Sequence, residues 1–197
     1  MVPKLPDIDF TNAAFRHRLT QGGGRGQALA KAVGLTKGRT PDIIDATAGL
    51  GRDGFVLAHL GAKVTLIERS AAIARALELA LKQAKAAEPL FAEPASRITL
   101  LFGDARQVLA GLAPSTVYID PMHPARLKSA LVKQQMRQLR EVVGSDDDSA
   151  LLIQAALLHA RKRVVVKWPM LSALPDTIPN PSSTLSGKTT KYLIFAR

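Results

Sequence analysis

The chain has 197 residues, of which 47% are hydrophobic and 22% charged, a composition typical of a globular protein and too apolar for extensive disorder. The absence of cysteine excludes disulfides, thiolate metal sites and cysteine nucleophiles. A formal net charge of +11 predicts a polyanionic partner, with nucleic acid first and an anionic membrane surface second. No apolar run approaches the roughly 18 residues of a membrane span, and no signal-peptide core is present, so we expect a cytoplasmic protein away from membranes.

Residues 1–40 are predicted to form a basic, glycine-rich segment that precedes a single domain over residues 41–197. Phe10 and Phe15 are expected to anchor this segment, while residues 16–26 are predicted to be a flexible cationic loop. Amides of a glycine run beside arginines can bind anions, although a solvated linker is the alternative. Candidate contacts to nucleic-acid phosphates in this segment are Arg16, Arg18 and Arg25.

The stretch from Asp45 to Gly54 is predicted to be a strand that turns into a helix. Glycine permits positive φ and close approach of a ligand, and the following helix N-terminus offers unpaired N–H groups. Gly49, Gly51 and Gly54 also match the dinucleotide-binding fingerprint, so a nicotinamide or flavin enzyme remains open. A tight turn without any ligand is the simplest alternative.

The next strand, Lys63–Glu68, ends in a carboxylate and precedes a helix over residues 71–87. An acid in this position can accept hydrogen bonds from the two hydroxyls of a nucleoside ribose, which makes Glu68 a candidate. A third strand over residues 97–102 leads to Asp104, which could receive an adenine amine. The alternative is that Asp104 only caps the helix that follows.

A fourth strand over residues 116–120 ends in Asp120-Pro121, which places a carboxylate and carbonyls in fixed directions. Ligands of parallel α/β sheets bind at the carboxyl ends of the strands. We therefore expect four strand-end acids to converge on one site: Asp45, Glu68, Asp104 and Asp120.

Beyond this point a helix over residues 126–143 carries a basic stripe, which is either a phosphate-binding face or simply solvated. Its members are Arg126, Lys133, Arg137 and Arg140. Three aspartates at 146–148 are interpreted as favourable charges in the first turn of a helix that reaches about His159, not as metal ligands. A strand over 163–168, a proline-rich loop over 169–181 and a final strand over 191–195 complete the chain.

Six blocks together resemble the ribosomal RNA small subunit methyltransferase J family, in the right order and over most of the chain. They are residues 22–26 (GGGRG), 45–53 (DATAGLGRD), 66–69 (LIER), 117–122 (VYIDPM), 128–133 (KSALVK) and 162–167 (KRVVVK). The resemblance implies a Rossmann-like class I methyltransferase, an α/β fold with a mostly parallel twisted sheet, helices on both faces and an antiparallel C-terminal strand. It further implies methylation of the N2 amine of one guanine in 16S rRNA, with S-adenosylmethionine as the methyl donor, no metal, and free rRNA or the small ribosomal subunit as partner.

Carried over by matching position, the resemblance implies these cofactor contacts: Arg52, Asp53, Glu68, Arg69, Asp104, Ala105 and Asp120. Asp45, Gly49 and Gly51 join them as residues of the glycine bend. Asp120 and the Pro121 carbonyl are expected to orient the target amine, and His123 to pack on the base where the family usually has an aromatic residue. Members are also expected to carry a longer N-terminal extension than this chain.

Two other classes of protein remain in competition with a methyltransferase. A nicotinamide-dependent oxidoreductase would use the glycine bend and Glu68, but it explains neither Asp120-Pro121 nor the charge. A non-catalytic RNA-binding module explains the charge but not the four strand-end acids.

Overall fold

The computed structural model describes residues 7–121, 149–187 and 189–197. A seven-stranded sheet lies at the centre of the fold. The strands are β1 Asp42–Asp45, β2 Lys63–Glu68, β3 Ile98–Phe102, β4 Thr116–Ile119, β5 Arg163–Pro169, β6 Ser183–Ser186 and β7 Thr190–Ala196. Their order in the sheet is β3-β2-β1-β4-β5-β7-β6; the first five strands in this order are parallel, β7 is antiparallel to β5, and β6 is antiparallel to β7. The predicted mostly parallel sheet with an antiparallel C-terminal strand is confirmed.

Helices cover both faces of this sheet. They are α1 Ala13–Gln21, α2 Ala28–Ala32, α3 Arg52–His59, α4 Ala71–Lys85, α5 Pro89–Ser96, α6 Ala105–Leu112 and α7 Ser149–His159, with a 3₁₀ turn at Gly24–Gly26. Alternate strand residues enter two apolar cores, Tyr118 and Val165 on the side of α1 to α5, and Val117 and Val164 on the side of α6 and α7. None of the described helices is long and apolar enough to cross a membrane.

The N-terminal segment packs against the sheet domain through aromatic side chains. Phe10 stacks on Phe55 with ring centroids 4.4 Å apart, and Phe15 meets the same ring edge-on at 5.4 Å. The predicted aromatic anchors are thus confirmed. The predicted flexible loop over residues 16–26 is wrong, because α1 begins at an Asn12 side chain that caps the Phe15 amide and a 3₁₀ turn follows.

Two further elements were not predicted from the sequence. Helix α5 begins with Pro89 at its first turn and buries Phe91, in agreement with the preference for proline at that position. Strand β6 is polar and mostly exposed, so it lacks the alternation that would reveal it. The one tryptophan, Trp168 in β5, is 4% exposed and its indole N–H donates to the Ala173 carbonyl.

Several sequence predictions lie outside the described residues. They are the helix over 126–143 with its basic stripe, the aspartates at 146–148, and His123.

Candidate active site

The turn between β1 and α3 adopts the geometry that its glycines were expected to permit. Gly49 and Gly51 have φ of +51° and +69°, in the left-handed region that favours glycine. A Cβ on Gly51 would lie 2.7 Å from the Leu77 side chain, and one on Gly54 would lie 2.4 Å from Leu66. The glycines therefore serve both the bend and the close packing of α3 on β2, as in a dinucleotide-type turn.

Glu68 ties the end of β2 to this turn. One carboxylate oxygen accepts the Gly49 amide at 2.9 Å and the other accepts the Ser70 amide at 2.8 Å. Burial raises the pKa of Glu68, and the two amide hydrogen bonds oppose that rise. A carboxylate oxygen has more than one lone pair, so Glu68 can support the bend and still accept ligand hydroxyls.

Asp45 is a nearly buried acid, 2% exposed, at the end of β1. Its Oδ1 accepts the Thr47 amide at 3.1 Å, and in the described part of the chain its Oδ2 has no hydrogen-bond donor. Burial raises the pKa of Asp45 to about 7, and the charges of Asp53 and Asp120 add to that rise. A cation beside Asp45 would stabilise its ionised form.

Lys167 in β5 joins two of the acids. Its Nζ lies 3.0 Å from Asp53 Oδ2 and 2.7 Å from Asp120 Oδ2. The Tyr118 hydroxyl donates to the same Asp53 oxygen at 2.6 Å. Although burial works against the charged form, Asp53 and Asp120 raise the pKa of Lys167, so the lysine is a cation at neutral pH.

Asp120 is held from the backbone as well. Its amide donates to the Thr47 hydroxyl at 2.7 Å, which connects the end of β4 to the turn after β1. Its side chain is 38% exposed, more than that of Asp53 or Lys167. Of the four acids predicted to converge, the structure thus brings Asp45 and Asp120 together, and it adds Asp53 to them. Pro121, which follows Asp120, is buried.

The remaining sequence candidates for the cofactor lie around this centre. Asp104 caps α6 through the Arg106 amide at 2.9 Å and pairs with the Arg106 guanidinium, which lowers the pKa of Asp104. The capping role proposed as the alternative is therefore present. Ala105 is buried at the start of α6, while Arg52 and Arg69 are exposed, just after the glycine bend and just after β2.

The arginines predicted to contact phosphates have partners within the chain. Arg16 pairs with Glu88 and lies over the Phe91 ring. Arg18 donates to Gln27, and Arg25 donates to the Leu60 and Thr36 carbonyls. These contacts fasten α1 and the 3₁₀ turn to the domain.

Lys167, Tyr118 and Thr47 are site residues that the sequence reasoning missed. A lysine near the end of a strand is ordinarily exposed, and a tyrosine inside an apolar strand is ordinarily core. The readable signal for Lys167 was its place in the block KRVVVK, two residues beyond a buried valine on the same face of β5. Among the described residues there is no group of three or more side chains suited to hold a metal ion.

Known proteins match this chain over most of its length. Residues 4–197 match a family model described as "Putative SAM-dependent methyltransferase". Ribosomal RNA small subunit methyltransferase J of Agrobacterium fabrum is 55% identical over 95% of this chain and 90% of its own length. The protein of the same name from Brucella anthropi is 51% identical over 96% and 93%.

A solved structure agrees with these relatives. A SAM-dependent methyltransferase from Neisseria gonorrhoeae superposes with a TM-score of 0.74 at 37% identity, over 96% of this chain and 73% of that one. The chain therefore belongs to the ribosomal RNA small subunit methyltransferase J family of S-adenosylmethionine-dependent methyltransferases.

Proposed function

We propose that this chain transfers a methyl group from S-adenosylmethionine to the N2 amine of a guanine in 16S ribosomal RNA. The observation that carries the proposal is the Asp120 carboxylate, held by Lys167 at the carboxyl edge of the sheet, beside the glycine bend. Family membership supports the reaction type and the class of RNA. The choice of guanine N2 over an adenine amine follows the family resemblance, because an Asp-Pro strand end suits either amine.

The residues around the bend fit the cofactor. Gly49 and Gly51 give the turn its left-handed backbone, and Glu68, which accepts the Gly49 amide, is placed for the ribose hydroxyls. Asp45 offers a buried oxygen without a donor among the described residues, which suits a positively charged group. When bound, S-adenosylmethionine supplies an electrophilic methyl group on a sulfonium.

The protein's own work is to position the amine and stabilise developing charge. The N2 lone pair is delocalised into the guanine ring, so N–H donation to Asp120 and to the Pro121 carbonyl would turn the amine toward the methyl carbon. As the N–C bond forms and the C–S bond breaks, the amine must release one proton. A nearby carboxylate stabilises the positive charge that grows on nitrogen while the N–C bond forms, and the proton then passes to that carboxylate or to water.

The base must be unpaired or turned out of its stack to reach Asp120. The net charge of +11 favours association with the RNA backbone, and the candidates for phosphate contacts are Arg126, Lys133, Arg137 and Arg140, because Arg16, Arg18 and Arg25 already have partners within the chain. A cytoplasmic location accords with a ribosomal RNA substrate.

The experiment is transfer of labelled methyl from S-adenosylmethionine to 16S rRNA, or to small subunits from cells lacking the enzyme, followed by nucleoside analysis. We expect label in N2-methylguanosine. Label in another nucleoside would contradict the substrate assignment and leave the methyltransferase assignment intact.

A further inference from the structure

The ion pair between Lys167 and Asp120 gives the two oxygens of the Asp120 carboxylate different surroundings. Lys167 Nζ lies 2.7 Å from Oδ2. In the part of the chain that the structure describes, Oδ1 receives no hydrogen bond. One oxygen is therefore fixed by the protein, and the other is left to accept an N–H from a substrate amine.

Lys167 is itself held in place from a second side. Asp53 Oδ2 accepts from Lys167 at 3.0 Å and from the Tyr118 hydroxyl at 2.6 Å. Because Asp53 lies in the first turn of α3, this chain of contacts runs from the helix after the glycine bend to Asp120. Burial of Tyr118 and the charges of Asp53 and Asp120 raise the pKa of its phenol, so the hydroxyl stays protonated and continues to donate.

Among the described residues, Lys167 supplies the positive charge beside Asp120. Titratable groups face Asp120 from α3, β1, β4, β5 and β7. They are Asp53, Asp45, Tyr118, Lys167 and Tyr192 respectively. Lys167 is the cation of this set, and Asp45 and Asp53 both act against ionisation of a further carboxylate.

We propose that Lys167 is a positioning residue that keeps the Asp120 carboxylate ionised and turned so that Oδ1 accepts the target amine. This inference rests on the proposed function for its substrate. A protonated Asp120 would offer an O–H donor instead of an acceptor, so it could not orient a donating amine. Burial raises the pKa of Asp120, and Lys167 opposes that rise.

The test is a pH titration of the Asp120 carboxyl group. It is monitored by ¹³C NMR in protein that is labelled at aspartate and free of cofactor. The Asp120 resonance is assigned with Asp120→Asn. In Lys167→Met we expect the pKa of Asp120 to rise by about one unit or more, which is a tenfold or greater increase in proton affinity. Lys167→Arg should restore most of the wild-type titration, and Lys82→Met, on the exposed face of α4, should not alter it.

A second variant moves the titration the other way. Asp53→Asn removes a negative charge beside Asp120 and keeps Lys167, so the pKa of Asp120 should fall. If Lys167→Met does not fold, as judged by thermal unfolding, Asp53→Asn and Lys167→Arg still carry the test. An Asp120 titration that is the same in folded Lys167→Met as in the wild type, or one unmoved by Asp53→Asn, overturns the proposal.

Measurements of methyl-transfer activity then distinguish a failure of the role proposed for Lys167 from a failure of the proposed function. The acidic limb of the kcat/KM profile should move to higher pH in Lys167→Met and to lower pH in Asp53→Asn, in step with the NMR titrations. A wild-type enzyme that transfers no methyl to rRNA would contradict the proposed function even where the titrations behave as expected. A wild-type enzyme that is active, with an acidic limb that does not move in Lys167→Met, would contradict the role of Lys167 alone.

Discussion

The two edges of the sheet hold their ionisable side chains in different environments. At the carboxyl edge, Asp45 and Glu68 are 2% and 4% exposed and have altered pKa values. At the amino edge, basic side chains are exposed and have no ion-pair partner among the described residues. They are Arg39, Lys63, Arg161 and Lys162.

The amino edge also holds a cavity of about 430 Å³, lined by Arg39, Thr40, Pro41, Asp42, Ser115, Arg161 and Lys162. Its charges face water, so salt screens them within about 10 Å. The charges of Asp45 and Glu68 at the carboxyl edge are screened far less, because protein surrounds them. Burial at one edge thus creates groups with specific chemistry, and exposure at the other leaves only a general attraction for anions.

The largest effect is expected from Asp120→Ala. Because we propose that Asp120 orients the amine, its loss should lower the rate of methyl transfer by about 10²–10³-fold, with an unchanged circular dichroism spectrum. Asp120→Asn keeps one carbonyl acceptor without the charge and should give an intermediate rate.

The matched control is Asp42→Ala, an exposed aspartate at the amino end of β1. Wild-type rates in Asp120→Ala, or equal losses in the two variants, would remove the distinction between the edges.

Asp45 lowers the free energy of unfolding by an amount that depends on pH. Its folded pKa of about 7 lies above its ordinary value of 3.8, so the folded protein binds more protons between these values and loses stability as pH rises through them. A displacement of this size corresponds to about 4 kcal/mol at most. Relative to the wild type, Asp45→Asn should therefore become more stable from pH 4 to pH 8, as measured by urea unfolding.

The comparison is Asp42→Asn, the same substitution at the exposed amino end of the same strand. Parallel stability curves for the wild type and Asp45→Asn would show that Asp45 does not titrate in this range.

Glu68→Ala should weaken binding of S-adenosylmethionine by about 1–3 kcal/mol in calorimetry, because it removes the support of the Gly49 amide and the hydrogen bonds that we propose Glu68 accepts from the ribose. The control is Glu78→Ala, an exposed acid on α4 that pairs with Arg75. Equal affinity in Glu68→Ala and the wild type would exclude Glu68 from the cofactor site.

The smallest effect is expected at the amino edge. Replacing Arg39, Arg161 and Lys162 by serine should leave the affinity for S-adenosylmethionine unchanged. RNA binding should weaken mainly at low salt, and its dependence on salt concentration should become shallower by about 0.7 per lost phosphate contact. A change in cofactor affinity in this variant would mean that the two edges are not independent.

The strands and the strand-end acids could be predicted because each rests on a local pattern. Buried runs such as Lys63–Glu68 and the bend at Gly49 and Gly51 follow from hydrophobicity and glycine alone. Helix α1 was not predicted because charged residues interrupt its short apolar face. Asn12, a residue type that favours the N-cap position of a helix, was the signal that could have indicated it. Strand β6 gave no apolar signal.

The role of Lys167 could not be predicted from a local pattern. Its partners, Asp53 and Asp120, lie 114 and 47 residues away in the chain, so only the assembled sheet brings the three together. Arg25 illustrates the reverse case. A basic residue beside glycines indicates a phosphate site, yet its guanidinium is bonded to the Leu60 and Thr36 carbonyls.

Trp168 follows Lys167 directly in β5, on the opposite face of the sheet. It is the single tryptophan of the chain and is buried, so the tryptophan fluorescence of the protein comes from one indole ring. Its emission should shift to longer wavelength when water reaches the ring. Fluorescence excited selectively at Trp168 therefore reports unfolding around the strand that carries Lys167, without an extrinsic dye. The folding of each site variant can be checked in the same sample in which its activity is assayed.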